Sequence, residues 1–405
     1  MINPEAGRCL LCKKARCREA CPVYTDVPRA MDLYRSGDRE EASRLLFNNN
    51  PFSGITCIVC DWKKTCFGSC ILNSKGKAVK WYEIEKEISS DYLLGIKLAF
   101  PEEGDKKVAV VGAGPAGMTA ALKLREKGFR VFLYDDHKRM GGVIRYGIPS
   151  FRLEQAYIDA LERITIEAGI SFFGDTLVGK DIQLSELLKN NDAVLIAGGA
   201  WKPRKLDIPG EEDERIIYAL EYLMEPDSFP LKGKVLVIGG GNVTMDASRT
   251  ALRQGCETEV YYRKGFENMP ANISEVEAAR EEGVKFHFFE VPVAVRKEAG
   301  KIYAVMRKCE NVTGKDGKLR TRTIEGSEHD VGFDYLIVAI SENVDYGLLG
   351  GVLSFDGAWP SVDANMETSC TGLYFCGDFL TGPSTVVEVV QSAKNAVKGI
   401  ENRLK

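Results

Sequence analysis

Eight of the twelve cysteines lie within the first seventy residues of the 405-residue chain. They form two groups, with the spacings C-x2-C-x4-C-x3-C-P and C-x2-C-x5-C-x3-C. Gaps this short let several thiolates converge on one metal centre from a single loop. Helical patterns over residues 27–48 and 77–94 accompany the two groups. The segment is therefore predicted to be a small helical domain that folds around metal centres.

The proline after Cys21 predicts how the two groups share their ligands. In two-cluster ferredoxins, the cysteine before such a proline ligates the other cluster. The sequence therefore predicts two [4Fe–4S] clusters held crosswise. Structural zinc stays open as an alternative, since C-x2-C pairs also occur in zinc knuckles. The first cluster is predicted to bind Cys9, Cys12, Cys17 and Cys70, and the second Cys21, Cys60, Cys66 and one further group.

Composition argues against nucleic acid and membranes as partners. The net charge is −4, so an anionic polymer or surface is not favoured. Apolar runs such as residues 108–111 and 335–340 are far shorter than the roughly 20 residues of a membrane span. No signal-peptide core precedes the cysteines. A cytoplasmic location is expected, where thiols stay reduced and clustered cysteines favour metal binding over disulfides.

A complete dinucleotide-binding unit follows the cysteines. An apolar strand, residues 108–111, runs into three glycines in the G-x-G-x-x-G spacing, and a helix over 118–127 comes next. The following strand, 131–134, ends in an acid. The glycines bring backbone N–H groups at a helix N-terminus close to a pyrophosphate, and the acid accepts a hydrogen bond from the ribose. The predicted contacts are Gly112, Gly114, Pro115, Ala116, Gly117 and Asp135.

The end of the chain indicates that this dinucleotide is FAD. The segment LYFCGD forms a strand that ends in Gly377 and Asp378, and Thr385 then opens a helix over 386–402. In flavoproteins that bind two dinucleotides, a Gly-Asp pair at this point contacts the ribityl–phosphate portion of FAD. The fingerprint and this pair are far apart in the chain, so another domain is expected between them.

A second fingerprint predicts a nicotinamide nucleotide. An apolar strand runs into Gly239 and Gly241, with Thr244 in the place of the third glycine. The next strand ends in Arg263 and Lys264 rather than in an acid. An acid would favour the free 2′-hydroxyl of NAD, whereas two cations favour the 2′-phosphate of NADP. NADP(H) is predicted over NAD(H), with a solvated basic pair as the alternative.

These motifs resemble those of the small (beta) subunit of bacterial glutamate synthase and the N-terminal half of dihydropyrimidine dehydrogenase. The resemblance covers nearly the whole chain, and GGVIRYGIPSFRL at residues 141–153 is its most specific stretch. It implies an α/β fold with an N-terminal α-helical iron–sulfur domain. Two Rossmann-like (β-β-α nucleotide-binding) domains follow, the NAD(P) domain being inserted in the FAD domain.

The predicted domain boundaries follow from the positions of the motifs. The helical domain with two [4Fe–4S] clusters takes residues 1–103. The FAD-binding domain takes 104–225 and 335–405, and the NAD(P)H-binding domain takes 226–334.

The resemblance also implies roles for residues that spacing alone does not assign. Gly142, Val143 and Arg152 are expected along FAD. The fourth ligand of the second cluster is expected to be Glu85, with Cys57 as the competing ligand. The pyrophosphate of NADP is expected against Gly239, Gly240, Gly241, Asn242 and Val243, with its 2′-phosphate on Arg263 and Lys264.

The cofactors predict an electron-transfer function. NADPH delivers a hydride to a flavin, which releases electrons singly to iron–sulfur centres, so no catalytic side chain is required. The chain is predicted to be the electron-transfer subunit of a partner catalytic large subunit, with the direction of flow left open. A self-sufficient NAD(P)H-dependent reductase and a redox-sensing binding module are the alternatives. The first needs a redox C-x2-C beside the flavin, and the C-x2-C pairs are N-terminal.

Overall fold

The structure is a computed structural model that describes residues 3–314, 317, 319–353 and 360–405. Two compact units make up the chain. The first unit contains Met1–Arg145, Ser150–Ala200 and Val344–Lys405, and the second contains Tyr146–Pro149 and Trp201–Asn343. Within the described residues, no helix combines the length and the apolar character that a membrane crossing requires.

Six helices form the N-terminal part of the first unit. Their shared core contains Met31, Tyr34, Leu46, Trp81 and Ile84, and four of the N-terminal cysteines pack against it. The helices are α1 (Pro4–Arg8), α2 (Arg16–Glu19), α3 (Val27–Arg35), α4 (Arg39–Asn49), α5 (Ser53–Val59) and α6 (Trp81–Gly95), with a 3-10 turn at Ile71–Lys75.

The helical pattern over 27–48 is two helices rather than one. Gly37 lies between α3 and α4 with φ +87°, a left-handed conformation that ends a helix. Asp38 then caps α4 by accepting a hydrogen bond from the backbone N–H of Glu41. The predicted helix over 77–94 is present as α6, although it begins four residues later.

A five-stranded parallel sheet fills the rest of the first unit, in the order β16-β4-β1-β2-β3. Its strands are β1 (Lys107–Val111), β2 (Arg130–Tyr134), β3 (Ser171–Phe173), β4 (Ala193–Ile196) and β16 (Leu373–Phe375). The helices of this part of the chain are α7 (Pro115–Glu126), α8 (Val143–Tyr146), α9 (Gln155–Glu167), α10 (Leu184–Asn190), α14 (Asp378–Thr381) and α15 (Val386–Leu404). A 3-10 turn lies at Gly347–Leu349.

The second unit has its own parallel sheet, in the order β6-β14-β7-β8-β9. Beside it, β10, β11, β12 and β13 form an antiparallel sheet, and β5 pairs with β15. The strands are β5 (Lys202–Pro203), β6 (Ile216–Tyr218), β7 (Lys234–Gly239), β8 (Glu257–Tyr262), β9 (Lys285–Phe288), β10 (Glu290–Glu298), β11 (Lys301–Thr313), β12 (Leu319–Thr323), β13 (His329–Phe333), β14 (Tyr335–Ala339) and β15 (Glu342–Asn343). The helices are α11 (Ala219–Met224), α12 (Asn242–Arg253) and α13 (Ile273–Glu282), with 3-10 turns at Pro226–Ser228 and Phe266–Asn268.

The second unit includes residues that the predicted boundaries give to the FAD-binding domain. Buried strand β14 pairs with β7 and β6 in the second unit's sheet, and β6 precedes residue 226. We propose boundaries of the inserted domain near residues 201 and 343 in place of 226 and 334.

Helix α15 approaches a neighbouring segment at Gly399, and this contact generates a stability prediction. A Cβ at Gly399 would lie 1.9 Å from the carbonyl oxygen of Asn365, whereas a Cβ at Gly95 of α6 would meet nothing within 4 Å. We expect Gly399→Ala to lower the free energy of unfolding by about 1–3 kcal/mol through overpacking. The matched Gly95→Ala should leave stability unchanged or raise it, because alanine favours a helix by up to about 1 kcal/mol. Thermal unfolding of both variants checks the pair, and equal melting temperatures would contradict it.

Candidate cofactor sites

Cysteines from both groups line one cavity in the helical part of the first unit. Cys9, Cys12, Cys17 and Cys70 all border this space, here called the first cavity. Leu11 adopts φ +48° between the two cysteines of the C-x2-C pair, so the chain reverses direction there. The Arg35 guanidinium donates to the backbone carbonyls of Ala6 at 2.7 Å and Cys9 at 2.5 Å, which ties the start of this loop to α3. The four predicted ligands of the first cluster are thus together.

A second cavity lies against the first. It is bordered by Cys21, Cys60 and Cys66, the three predicted thiol ligands of the second cluster. Cys66 and Trp81 border both cavities, so the two spaces share a wall. The crosswise arrangement of the two sequence groups is therefore what the fold presents.

Both candidates for the fourth ligand reach the second cavity. Glu85 comes from α6 and Cys57 from the end of α5. Burial raises the pKa of the Glu85 carboxyl to about 8, although a hydrogen bond from Trp81 opposes the shift. Among the described residues, no cation forms an ion pair with Glu85. Cys57 is buried, and its thiol is hydrogen-bonded with Ser90.

The protonation chemistry of the thiols fits a metal cluster. Desolvation by burial raises the pKa of Cys17 to about 11 and that of Cys60 to about 12, and neighbouring acidic groups add to both shifts. The pKa of Cys66 is raised for the same reasons. Thiolates at these positions therefore require positive charge from a bound metal.

The first fingerprint forms a tight turn between β1 and α7. Gly112 has φ +100°, and a Cβ there would lie 2.4 Å from the carbonyl oxygen of Ala197. A Cβ at Gly117 would overlap the carbonyl oxygen of Gly112 at 1.7 Å. Pro115 opens α7, and no side chain caps the helix, so the N–H groups of its first turn are available to a ligand. This cradle fits a dinucleotide pyrophosphate.

The predicted ribose ligand is held by its surroundings. Asp135 accepts hydrogen bonds from the backbone N–H groups of Ala113 at 2.5 Å and His137 at 2.8 Å. The His137 ring also lies 3.2 Å from the Asp135 carboxylate and 2.8 Å from that of Asp136. These two carboxylates raise the pKa of His137 to about 9. The Asp135 carboxyl group is therefore held at a fixed place beside the glycine turn.

The GGVIRYGIPSFRL stretch passes across the same turn. Gly142 has φ +54°, and a Cβ there would lie 2.7 Å from the Cα of Gly114. Val143 follows at the start of α8, and Arg152 is half-buried in the turn before α9. The close backbone approach accounts for the glycine, while the contacts of Val143 and Arg152 with FAD stay predictions.

The Gly-Asp pair from the end of the chain reaches the first turn of α7. A Cβ at Gly377, where φ is +63°, would lie 2.9 Å from the Cβ of Ala116. Asp378 accepts hydrogen bonds from the Ser384 N–H at 2.9 Å and its hydroxyl at 2.7 Å, while burial raises the pKa of Asp378 to about 6. Thr385 caps α15 through a reciprocal pair with Glu388. The two distant segments predicted to bind FAD are therefore in contact.

The second fingerprint joins β7 to α12 in the second unit. A Cβ at Gly239 would lie 2.2 Å from the carbonyl oxygen of Ala339, and a Cβ at Gly241 would meet nothing within 4 Å. The Thr244 hydroxyl accepts from the Gly241 N–H and donates to the Ala339 carbonyl, each at 3.2 Å. Gly240 lies against the Tyr262 ring, since a Cβ there would come within 2.6 Å of it. Asn242 and Val243 follow half-buried in the first turn of α12.

Two cations stand where β8 ends, at the edge of the sheet that carries this fingerprint. Arg263 is exposed and Lys264 is half-buried. Across the described part of the chain, no carboxylate forms an ion pair with either of them. Both charges therefore remain available to an anion such as a 2′-phosphate.

Sequence reasoning missed a junction between the helices of the cluster part and those of the FAD part. The Lys123 ammonium of α7 donates to the carbonyl of Asn48 at 2.7 Å, and that of Lys394 in α15 donates to the side-chain oxygen of Asn49 at 2.7 Å. The Asn49 amide donates in turn to the carbonyl of Val23 at 3.0 Å. The sequence signal that could have revealed this junction is Lys123, a lysine on an apolar face of its helix. Val387 of α15 also borders the second cavity.

Family comparisons match both parts of the chain. Residues 106–399 match the pyridine nucleotide-disulphide oxidoreductase family. Residues 1–93 match the 4Fe-4S cluster domain II of dihydropyrimidine dehydrogenase. These matches confirm the predicted fold class, the flavoprotein oxidoreductase class and the cofactor classes, while the number of clusters stays a prediction.

Similar proteins lead to the same group. The chain is 31% identical to the glutamate synthase [NADPH] small chain of Escherichia coli, over 99% of this chain and 91% of the relative. It is 33% identical to the glutamate synthase [NADPH] small chain of Azospirillum brasilense, over 98% of this chain and 88% of the relative. FprA of Mycobacterium tuberculosis, solved with NADPH, has a similar fold, with a TM-score of 0.65 and 18% identity. The match covers 74% of this chain and 84% of FprA. The chain therefore belongs to the pyridine nucleotide-disulphide oxidoreductase family, in the group with an N-terminal 4Fe-4S domain that includes the glutamate synthase small chains.

Proposed function

We propose that this oxidoreductase is an electron-transfer subunit that takes electrons from NADPH and passes them to a separate catalytic subunit. The observation that carries the proposal is the contiguity of its predicted centres. Val387 of α15 borders the second cavity, and that cavity shares Cys66 and Trp81 with the first. FAD, when bound, accepts a hydride from NADPH and releases the electrons one at a time to iron–sulfur clusters.

The residues of the chain hold and align these groups. The uncapped first turn of α7 offers N–H groups to the FAD pyrophosphate, and Asp135 accepts from the adenosine ribose. Gly377 lets the Gly-Asp segment pack closely against Ala116 in that first turn, which brings Asp378 to the same site. The first turn of α12 holds the NADPH pyrophosphate in the same way, with Arg263 and Lys264 on the 2′-phosphate. No side chain forms a covalent bond with substrate in this scheme.

A partner subunit is supported by the relatives. Two similar proteins are named small chains of glutamate synthase, which implies a second chain in those enzymes. The present chain covers 91% and 88% of their lengths, so it matches almost all of each small chain. We infer a catalytic partner of the same kind here.

Anaerobic reduction tests the proposal. NADPH should bleach the flavin of the purified holoprotein within seconds and then give the electron paramagnetic resonance (EPR) signals of reduced clusters, with iron and sulfide contents of two [4Fe–4S] clusters. Cys12→Ser should remove the first cluster alone and Cys60→Ser the second alone, because each thiol borders a single cavity. Zinc in place of iron, or a flavin that NADPH does not bleach, would refute the function.

The fourth ligand of the second cluster is proposed to be Glu85. A buried carboxylate with no cation beside it is costly unless a metal compensates its charge. Glu85→Ala should therefore lower the iron content by the equivalent of one cluster, or change the EPR signal of that cluster alone. Cys57→Ser, the matched change on the same cavity, should leave both clusters intact. The opposite pattern would assign the ligand to Cys57.

The cations after β8 predict coenzyme preference. Charge-assisted hydrogen bonds contribute about 1.5–3 kcal/mol each. Replacing both Arg263 and Lys264 by alanine should therefore raise KM for NADPH tenfold or more and leave KM for NADH within about twofold. Lys232→Ala is the control, since this exposed cation precedes β7 at the opposite end of the strands. An equal rise in KM for NADPH and NADH would show that Arg263 and Lys264 do not recognise the 2′-phosphate.

A further inference from the structure

The first cavity reaches the protein surface through apolar side chains. Leu10 and Ile71 border this cavity, and they are 61% and 47% exposed. Each follows a predicted cluster ligand directly in the chain, Cys9 in one case and Cys70 in the other. Exposed leucines and isoleucines are ordinary when scattered singly. Two of them at the rim of one cofactor cavity form a surface that a partner can dehydrate.

Cations surround this apolar rim. Lys13, Lys14 and Arg16 are exposed, and no carboxylate in the described part of the chain forms an ion pair with any of them. An open groove beside the rim has Lys14, Arg16 and Arg18 on one side. Glu19 and Asp26, the nearby acids, pair with Arg18. The other side of the groove is uncharged and consists of Gly68, Ser69, Cys70, Ile71, Asn73 and Ser74.

The sign of this charge is opposite to that of the whole protein. The chain carries 58 acidic and 54 basic residues, for a net charge of −4. A local excess of unpaired cations on an acidic protein selects for acidic partners and raises their association rate. An apolar centre with a charged rim is also the usual anatomy of a protein–protein interface.

We propose that this face, defined by Leu10, Lys13, Lys14, Arg16 and Ile71 and called the basic face, docks an acidic protein surface with a one-electron redox centre beneath it. The inference rests on the proposed function and adds the exit point and the charge of the partner. Electrons enter at the second cavity, beside Val387, and leave from the first. Each docking event transfers one electron to the partner's centre, so one NADPH, which becomes NADP+ with release of one proton, supplies two such events.

The test uses the holoprotein with NADPH and two soluble one-electron acceptors of opposite charge. An acidic vertebrate-type [2Fe–2S] ferredoxin, whose reduction potential lies above that of NADPH, represents the proposed partner chemistry, and a basic cytochrome c is the control acceptor. For the wild-type protein, the rate of ferredoxin reduction should fall as ionic strength rises, whereas that of cytochrome c should not. This salt dependence is measured on the wild-type protein, so the test remains valid even if a substitution disturbs the first cluster.

Charge reversal locates the docking face. The double variant Lys13→Glu/Lys14→Glu should lower the rate of ferredoxin reduction tenfold or more at low ionic strength and flatten its salt dependence. The rate with cytochrome c should not fall. The matched control Lys301→Glu/Lys398→Glu makes the same change in net charge at exposed positions outside the basic face, and its rates should stay within about twofold of wild type. Ferredoxin that is not reduced, or whose reduction both double variants affect equally, overturns the inference.

Spectroscopy in the same samples separates this inference from the proposed function. Flavin bleaching and the EPR signals of the reduced clusters should be unchanged in both double variants. If NADPH fails to reduce the clusters of the wild-type protein, the proposed function is wrong. If the clusters are reduced and charge reversal leaves the ferredoxin rate unchanged, the docking face alone is wrong.

Discussion

The arrangement of predicted centres in the first unit depends on two lysines, of which Lys123 is buried and Lys394 is half-buried. Lys123 of α7 and Lys394 of α15 donate to the end of α4, at Asn48 and Asn49. Burying an ammonium group is costly unless its hydrogen bonds are satisfied, so these contacts stabilise one docking geometry over others. The same two helices begin at the predicted FAD site. Val387, in the first turn of α15, also borders the second cavity, so the start of one helix contacts both predicted sites.

The cysteine part is built so that metal and fold support each other. Its thiols pack against a small core of the helices, and burial raises the pKa of Cys17 and Cys60 well above the ordinary value for a thiol. Without positive charge from a bound metal, these thiols are neutral and do not link the two cysteine segments. With a cluster, four thiolates from two distant segments are joined, and the free energy of metal binding becomes free energy of folding. The predicted crosswise ligation would make each cluster a link between both segments.

Much of the fold and of the candidate sites could be predicted because the informative signals are local. Apolar strands that run into glycine turns predicted β1 and β7, and cysteine spacing predicted which thiols face one cavity. Signals that depend on tertiary contacts were not readable. Gly37 splits a helical pattern whose periodicity continues on both sides, and Lys123 has a partner from a helix some seventy residues earlier. The domain boundary that we propose near residue 343 depends on the pairing of β14, which an apolar run alone does not assign to a sheet.

The two nucleotide fingerprints share one sequence pattern, but the residue at the third glycine position packs differently in each. At the first, a Cβ at Gly117 would fall 1.7 Å from the carbonyl oxygen of Gly112, so only glycine fits. At the second, the same position is Thr244, whose hydroxyl bridges the Gly241 N–H and the Ala339 carbonyl. Helix α12 lies far enough from the end of β7 to accommodate a threonine side chain at this position. The Thr244 hydroxyl makes both of its hydrogen bonds in the space between them. Because the Gly241 N–H is already satisfied, the N–H groups of Asn242 and Val243 and the cations after β8 are what this site would offer to the proposed dinucleotide.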